Sequence, residues 1–261
     1  MAGVLANLST ALLRGCQDLL FPPACSGCQA PLPASRMPLF CPPCHHRIKW
    51  LDSPLCPGCG RPWPTGAGED HFCGPCQQKP PHFSRARAAL IYQGPIAGAI
   101  QACKYQADLA ALTSLAALAH RSPAFIRGGA GHAAGPQMTA WSDYDYILPI
   151  PLHLQRLRQR GFNQALLLAR ALFPGQRKKI CFDILCRHRW TDPQTGMSGG
   201  QRRKNLQNAF AVTAPGKIKK CRLLLVDDVF TTGTTVNECA RVLRAAGAAE
   251  VAVFTLARVR Q

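Results

Sequence analysis

The chain has 261 residues, and a hydrophobic fraction of 47% excludes an intrinsically disordered protein. Its apolar stretches are interrupted by Arg, Gln, Pro or Gly well before the roughly 18 residues that a membrane helix needs. The start of the chain also lacks the basic residues and the small-residue cleavage site of a secretory signal. We therefore expect a cytoplasmic protein without membrane insertion.

The net charge of +18 is unevenly distributed along the chain. Residues 1–84 hold 6 Lys and Arg against 4 Asp and Glu, whereas residues 85–261 hold 25 against 9. The window 156–222 alone holds 16 against 2. A positive field of this density attracts polyphosphate or nucleic acid. The alternative is a solvated basic surface that only aids solubility.

Eight of the 14 cysteines form four CxxC pairs in the first part of the chain. The pairs are Cys25/Cys28, Cys41/Cys44, Cys56/Cys59 and Cys73/Cys76. Two such pairs can surround one zinc ion tetrahedrally, because each pair forms a tight turn whose thiolates converge. The simplest assignment is two structural Zn²⁺ sites in series, the first two pairs forming one site and the last two forming the other. The spacing also permits interleaved pairing, a redox CxxC or an iron–sulfur cluster.

The composition changes near residue 84, from Cys, Pro and Gly to alternating apolar runs and helical patterns. We therefore expect a small double zinc-ribbon module, with four cysteines per zinc, within residues 1–84 and a second domain over residues 85–261. In that domain strands alternate with helices, which indicates an α/β fold with a mainly parallel sheet and flanking helices. The predicted strands are 88–92, 146–150, 179–185, 209–213, 222–226 and 250–256. The predicted helices are 95–120, 154–172 and 234–246, and the predicted loops are 122–142 and 187–207.

The segment LLLVDDVFTTGTT, residues 223–235, carries the clearest chemical signal. Four apolar residues predict a strand covered on both faces, and Asp227 and Asp228 follow at its carboxyl end, where ligands bind in open α/β sheets. The TTGTT that comes next offers hydroxyls and backbone N–H groups to an anion at a helix N-terminus. Two carboxylates beside a phosphate suit a vicinal diol, so the segment predicts a ribose phosphate site. The alternative is ordinary helix capping.

VDDVFTTGTT resembles the 5-phosphoribosyl-1-pyrophosphate (PRPP) motif of type I phosphoribosyltransferases. The resemblance implies that Asp227 and Asp228 hold the ribose hydroxyls and that the following loop cradles the 5′-phosphate. The loop residues are Thr231, Thr232, Gly233, Thr234 and Thr235. Mg²⁺ would then arrive with the pyrophosphate.

A longer pattern covers nearly the whole chain. The CxxC pairs, QACKYQAD (101–108), PIPLHLQRLRQRGFNQ (149–164), RHRWTDPQTGMSGGQRRKNLQNAF (187–210) and the PRPP motif together resemble the ComF/GntX family. That family is linked to competence and to the use of extracellular DNA. The resemblance implies a type I phosphoribosyltransferase-like fold behind a cysteine-rich head.

Two further groups of residues are candidates for binding or catalysis. Arg156, Arg160 and Asn163 follow a predicted strand and could grip pyrophosphate or a nucleic-acid backbone, or they could simply form a solvated helix face. The loop that contains Arg187, Arg189 and Arg202 resembles the flexible loop that closes over the transition state in phosphoribosyltransferases, where arginine stabilises developing pyrophosphate charge. These three arginines are the candidate catalytic residues.

Three functions are compatible with these motifs. The first is a competence-type protein that binds single-stranded DNA together with PRPP or a related ribose phosphate, with competence-machinery proteins as possible partners. The second is an active phosphoribosyltransferase with an unidentified acceptor. The third is a regulator that senses PRPP without catalysis.

Overall fold

A computed structural model describes residues 22–33, 37–64, 66, 68–126, 140–189, 206 and 208–260. Its centre is a four-stranded parallel sheet with the strand order β1-β6-β5-β2. The four strands are β1 (Arg85–Ile91), β2 (Tyr146–Pro149), β5 (Arg222–Phe230) and β6 (Glu250–Arg258). A separate antiparallel pair consists of β3 (Leu185–Arg187) and β4 (Phe210–Val212). The predicted α/β fold with a mainly parallel sheet is therefore confirmed.

The strand β5 divides the hydrophobic interior into two parts. Leu224 and Val226 pack into one cluster with the helices on one face of the sheet, and Leu223 and Leu225 pack into the other. All four side chains are fully buried. Successive side chains of a strand point to opposite faces, so four apolar residues in a row are what a strand covered on both sides requires.

Helices cover both faces of the sheet. The α-helices of the described residues, of which the first two belong to the cysteine-rich module, are α1 (Pro42–His46), α2 (Gly74–Gln78), α3 (Gly94–Tyr105), α4 (Leu109–Arg121), α5 (Pro123–Ile126), α6 (Leu154–Arg160), α7 (Gln164–Leu172), α8 (Pro215–Ile218) and α9 (Thr234–Ala245). The buried residues of α9 are Val236, Cys239, Ala240 and Leu243, which recur at the spacing of one helical face. No helix in the described ranges has the length and apolar character needed to cross a bilayer.

Two predicted long helices are each broken into two, and those predictions were wrong. The first stops at α3, because Ala107 takes a left-handed φ of 55° and the side chain of Asp108 caps α4 by accepting from the Ala111 N–H at 2.8 Å. The second stops at Gly161, which has a φ of 77°, and restarts after Asn163. The apolar residues on both sides of each turn keep their helical spacing, so the hydrophobic periodicity of the sequence does not reveal either break.

Strand boundaries also differ from prediction, and two of these differences affect the site. The run 179–185 forms only an isolated bridge at Ile180, and the strand lies at β3 instead. The strand β5 extends to Phe230, so Asp227 and Asp228 lie within it and not after it. Asp227 pairs with Thr255 of β6, so the hydrogen-bonded pairing of β5 with β6 continues beyond the four apolar residues.

The cysteine-rich module covers the free edge of β1. The Leu51 and Ile91 N–H groups hydrogen-bond across this edge, to Ala89 O at 3.1 Å and Lys49 O at 2.9 Å. Further along, the Ala86 N–H donates to Gly58 O at 2.7 Å. An uncovered edge strand would expose unpaired backbone groups, and the module satisfies them.

Two buried arginines tie the second cysteine cluster to the sheet. Arg87 on β1 donates to Pro57 O at 2.9 Å, and Arg258 at the end of β6 donates to Cys59 O at 2.6 Å. The Arg258 guanidinium also lies 4.4 Å from the ring centroid of Phe230, at the end of β5. Each arginine is about 95% buried, and hydrogen bonds to carbonyl groups offset part of the cost of that burial.

The close approach of the module to β1 gives a stability prediction. Gly60 has a φ of 71°, and a β-carbon there would lie 2.5 Å from Ala86 O. We expect Gly60→Ala to lower the free energy of unfolding by about 2–3 kcal/mol, since it combines left-handed strain with a backbone clash that pushes the module off the strand. Urea denaturation measures this loss.

Gly66→Ala is the matched control. Gly66 has a φ of 61°, and no atom of the described residues lies within 4 Å of a β-carbon there, so it carries the strain without the clash. We expect a cost of about 1 kcal/mol there. Equal losses in the two variants would contradict the importance of the contact with β1.

Candidate functional site

The eight cysteines of the CxxC pairs form two separate clusters. Within each cluster the four sulfur atoms all lie within 4.8 Å of one another. The first cluster is Cys25, Cys28, Cys41 and Cys44, and the second is Cys56, Cys59, Cys73 and Cys76. Serial pairing is therefore confirmed and interleaved pairing is excluded.

Each cluster has the donor set of a structural zinc site. Cys28 and Cys41 lie 3.7 Å apart between sulfur atoms, as do Cys59 and Cys73, and the described cysteines are unbridged. The hydrogen bond between Cys59 and Cys56 lowers the pKa of the Cys56 thiol and raises the pKa of Cys59, so these two sulfur atoms share a proton that a bound metal would displace. Four thiolates with no open position suit a structural rather than a catalytic ion.

A cavity of about 760 Å³ opens at the carboxyl end of β5. Its lining combines Asp227 and Asp228 from β5 with Thr231 and Thr235 from the loop and helix that follow. On the other side lie residues of α3, α6, α7 and β3, so elements that are distant in sequence share one space. A cavity of this size holds a small ligand.

The two carboxylates of this cavity have different surroundings. Desolvation, followed by repulsion from Asp228, raises the pKa of Asp227 to about 7. Asp228 instead lies 2.8 Å from the Lys104 ammonium, measured between Oδ2 and Nζ. Burial alone would lower the pKa of Lys104, but the attraction and hydrogen bond to Asp228, together with attraction to Asp227, raise it. The ammonium group of Lys104 thus pairs directly with one of the two adjacent carboxylates, that of Asp228.

Lys104 and Gln164 line the cavity, and sequence reasoning assigned neither of them a role. The Gln164 side-chain N–H approaches Asp228 Oδ2 at 3.4 Å, while its carbonyl oxygen is buried without a partner in the described part of the chain. Both residues lie in segments that carry the family resemblance, QACKYQAD and RGFNQ. A lysine in the last turn of a helix is, however, indistinguishable from an ordinary helix-end cation until the fold brings it to Asp228.

The threonine loop faces two cavities rather than one. Thr231 and Thr235 line the first cavity, whereas Thr232, Gly233 and Thr234 line a second, of about 710 Å³, against the zinc module. Gly233 has a φ of 75°, and a β-carbon there would clash with the ring of Phe230. Only glycine fits this turn, which delivers the chain into the N-terminus of α9.

The structure places Arg156, Arg160 and Asn163 along the first cavity. The Asn163 side chain is also a structural cap, accepting from the Ala165 N–H at 2.9 Å and donating to Ile150 O at 3.1 Å. Asn163 therefore positions the entrance of α7 as well as lining the site.

Among the predicted loop residues, Arg187 enters the cavity from β3. Burial, followed by repulsion from Arg156, lowers its pKa. Arg189 follows the strand by two residues and does not line this cavity, and Arg202 lies outside the described residues.

Comparison with known proteins finds the same two modules. A family model of a double zinc ribbon domain matches residues 16–78, and one of a phosphoribosyl transferase domain matches residues 159–261. DNA utilization protein YhgH of Escherichia coli O157:H7 is 33% identical over 92% of this chain and 99% of its own. The chain belongs to the ComF/GntX family.

More distant members of the ComF/GntX family match over a similar span. Competence protein F of Haemophilus influenzae is 31% identical over 84% of this chain and 90% of its own. Competence protein ComFC of Bacillus subtilis is 25% identical over 84% and 83%. A solved glutamine PRPP amidotransferase from B. subtilis is 22% identical over 44% of this chain and 22% of its own, with a TM-score of 0.28, which is too low to support an argument.

We predict two zinc ions per chain. Cys44→Ser and Cys76→Ser should each remove one of them and leave the other, because the clusters share no ligand. Elemental analysis of the purified protein measures both. Cys239→Ser, which changes a buried cysteine outside the clusters, is the control and should retain two. One zinc or none in the unmodified protein would contradict the two-site assignment.

The raised pKa of Asp227 predicts a pH-dependent stability. Between about pH 4, where the unfolded chain loses this proton, and about pH 7, where the folded chain loses it, the folded state binds more protons, so stability falls as pH rises. Asp227→Asn removes this loss. We therefore expect the variant to melt at a higher temperature than the unmodified protein at pH 8, with the difference shrinking towards pH 5.

The neighbouring substitution Asp228→Asn is the matched control. It leaves Lys104 without its carboxylate partner, so it should lower the melting temperature. Calorimetry of the three proteins at both pH values measures these differences. A gain in stability for Asp228→Asn, or none for Asp227→Asn, would refute the unequal roles of the two carboxylates.

Proposed function

We propose that this protein acts in the uptake or use of extracellular DNA, binding a ribose phosphate of the PRPP type in the first cavity and single-stranded DNA on its basic domain. The observation that carries the proposal is the lining of that cavity, where adjacent carboxylates, a threonine loop at a helix N-terminus and arginines meet. The names of the relatives support the broader role, since they describe DNA utilization and competence proteins.

In this proposal each part of the cavity recognises one part of the ligand. Asp227 and Asp228 accept hydrogen bonds from the ribose hydroxyls, and Thr231 and Thr235 hold the 5′-phosphate at the N-terminus of α9. Thr232, Gly233 and Thr234 complete the same phosphate-binding loop from the side of the second cavity. Arg156 and Arg160 face the pyrophosphate from α6. The buried carbonyl oxygen of Gln164, beside Asp228, accepts from a further ligand group.

Mg²⁺ is proposed to come with the pyrophosphate. The residues described along this cavity include two carboxylates, and Asp228 is already bound to Lys104, so the protein offers only part of a magnesium site. When bound, the ion would neutralise pyrophosphate charge.

An active phosphoribosyltransferase is the second candidate function. The observation that favours it is the entry of Arg187 into the same cavity as Asp227, since an arginine there can stabilise charge on departing pyrophosphate. Arg189 and Arg202 would belong to the same loop of the family pattern. A PRPP sensor without catalysis uses the same binding residues and differs only in releasing no pyrophosphate.

The location, partners and domain organisation of the protein are also proposals. We propose a cytoplasmic protein that works with competence-machinery proteins, and a division of labour near residue 84 between the zinc module and the ligand-binding domain. The relatives' names support the competence context, and the double zinc ribbon match over residues 16–78 supports the division of labour.

Calorimetric titration with PRPP tests the site. We expect the double variant Asp227→Asn/Asp228→Asn to bind PRPP at least ~30-fold more weakly, since each charged hydrogen bond contributes about 1.5–3 kcal/mol. Glu69→Gln, in the zinc module, removes a charge away from the cavity and should bind PRPP normally. Equal affinity in the double variant would overturn the proposed ribose site.

Two further measurements separate the candidate functions. Single-stranded DNA affinity should fall steeply with salt if the basic domain binds the backbone. Pyrophosphate release from PRPP with candidate acceptors, abolished in the double variant, would establish the enzyme. PRPP binding without release of pyrophosphate would favour the PRPP sensor over the enzyme.

A further inference from the structure

The rim of the first cavity carries an exposed aromatic ring with a cation beside it. Tyr105, the last residue of α3, is 75% exposed. The guanidinium carbon of Arg160, on α6, lies 5.4 Å from the centre of its ring. Both side chains line the cavity that contains Asp227 and Asp228. An exposed ring at the mouth of a cavity, with a cation on it, is accessible to a ligand that enters there.

The position of the ring follows from the ion pair at the ribose site. Lys104, which precedes Tyr105, lies 2.8 Å from Asp228. This contact anchors the end of α3 beside the carboxylates and leaves the next side chain at the mouth of the cavity. A sugar bound by the two carboxylates would therefore have the Tyr105 ring close to it.

The cations around this ring lie close enough to repel one another. Burial and repulsion from Arg160 lower the pKa of Arg156. Burial and repulsion from Arg156 likewise lower the pKa of Arg187. Along the cavity four cationic side chains, including Lys104, face two carboxylates. The exposed Arg158 extends the positive charge along α6, which buries none of its residues. An incoming phosphate backbone would relieve this repulsion.

We propose that Tyr105 and Arg160 form a stacking platform for a base of single-stranded nucleic acid at the mouth of the ribose phosphate cavity. One face of the ring contacts the guanidinium, and the base stacks against the exposed ring while the α6 arginines contact the backbone. The platform rests on the proposed function, because it locates the DNA contact beside the sugar site. In this arrangement Arg160 contacts both the pyrophosphate of PRPP and the single-stranded nucleic acid.

Fluorescence anisotropy with a labelled oligodeoxythymidylate of about 12 nucleotides, within the site sizes common for single-strand binding, tests the platform. We expect Tyr105→Ala to weaken binding by ~5-fold or more, since stacking of one base contributes about 1–3 kcal/mol. Tyr105→Phe, which keeps the ring, should bind within about twofold of the unmodified protein. Phe182→Ala is the matched control, because Phe182 is a 62% exposed ring that does not line the cavity.

An abasic oligonucleotide of the same length separates stacking from backbone contacts. Tyr105→Ala should bind it as the unmodified protein does, whereas Arg160→Gln should bind both oligonucleotides more weakly. Failure of the unmodified protein to bind the thymidylate, or equal affinity in Tyr105→Ala, would overturn the platform. So would an equal loss on the abasic strand, which would indicate a structural role for the ring.

Titrations with PRPP and with thymidine monophosphate complete the test. Absent PRPP binding in every protein would defeat the proposed ribose site, while the oligonucleotide series would still test the platform. If Tyr105→Ala weakens binding of the mononucleotide but not of the oligonucleotide, the partner is a free nucleotide and the single-strand proposal is wrong.

Discussion

Burial of β5 on both faces is the constraint on which the rest of the structure depends. Residues 223–226 are fully buried and separate two hydrophobic clusters, so the strand can lie only in the interior of the sheet, between β6 and β2. In a parallel sheet this fixes where its carboxyl end emerges, and the carboxylates at positions 227 and 228 emerge with it. The loop and α9 then have no freedom to place the threonines elsewhere.

The same sheet would be incomplete without the zinc module. In this fold β1 is an edge strand, and backbone groups of residues 49–58 pair with its free side. The second cysteine cluster connects further, because Arg258 contacts both Cys59 and Phe230, and the Phe230 ring leaves room only for glycine at position 233. The cysteine-rich module is thereby linked through a short chain of side chains to the threonine loop.

The cavity concentrates like charges that would repel one another in the absence of a ligand. Two carboxylates lie together at one wall, and three arginines and a lysine line the remainder. Lys104 and Asp228 form a close ion pair between the two sets. Groups arranged in this way suit a ligand that supplies hydroxyls to the acids and phosphate to the cations, and such electrostatic strain is typical of binding sites.

By itself the sequence determined the chemistry that depends on local spacing. Serial CxxC pairs predict two metal sites because each knuckle is a local turn, and VDDVFTTGTT predicts a strand, two acids and a phosphate loop because these parts are contiguous. It misplaced what depends on how the chain turns: the breaks at Ala107 and Gly161, the strand at 185–187, and the extension of β5 through the acids.

Only the tertiary structure decided which distant residues share the site. Lys104 contacts Asp228, and Tyr105 contacts Arg160, although each pair is far apart in the chain. The parallel sheet brings α3 and α6 together at the carboxyl end of β5. No local pattern distinguishes these side chains from helix-end charges and surface rings. Their partners are set by packing over long separations, which periodicity does not encode.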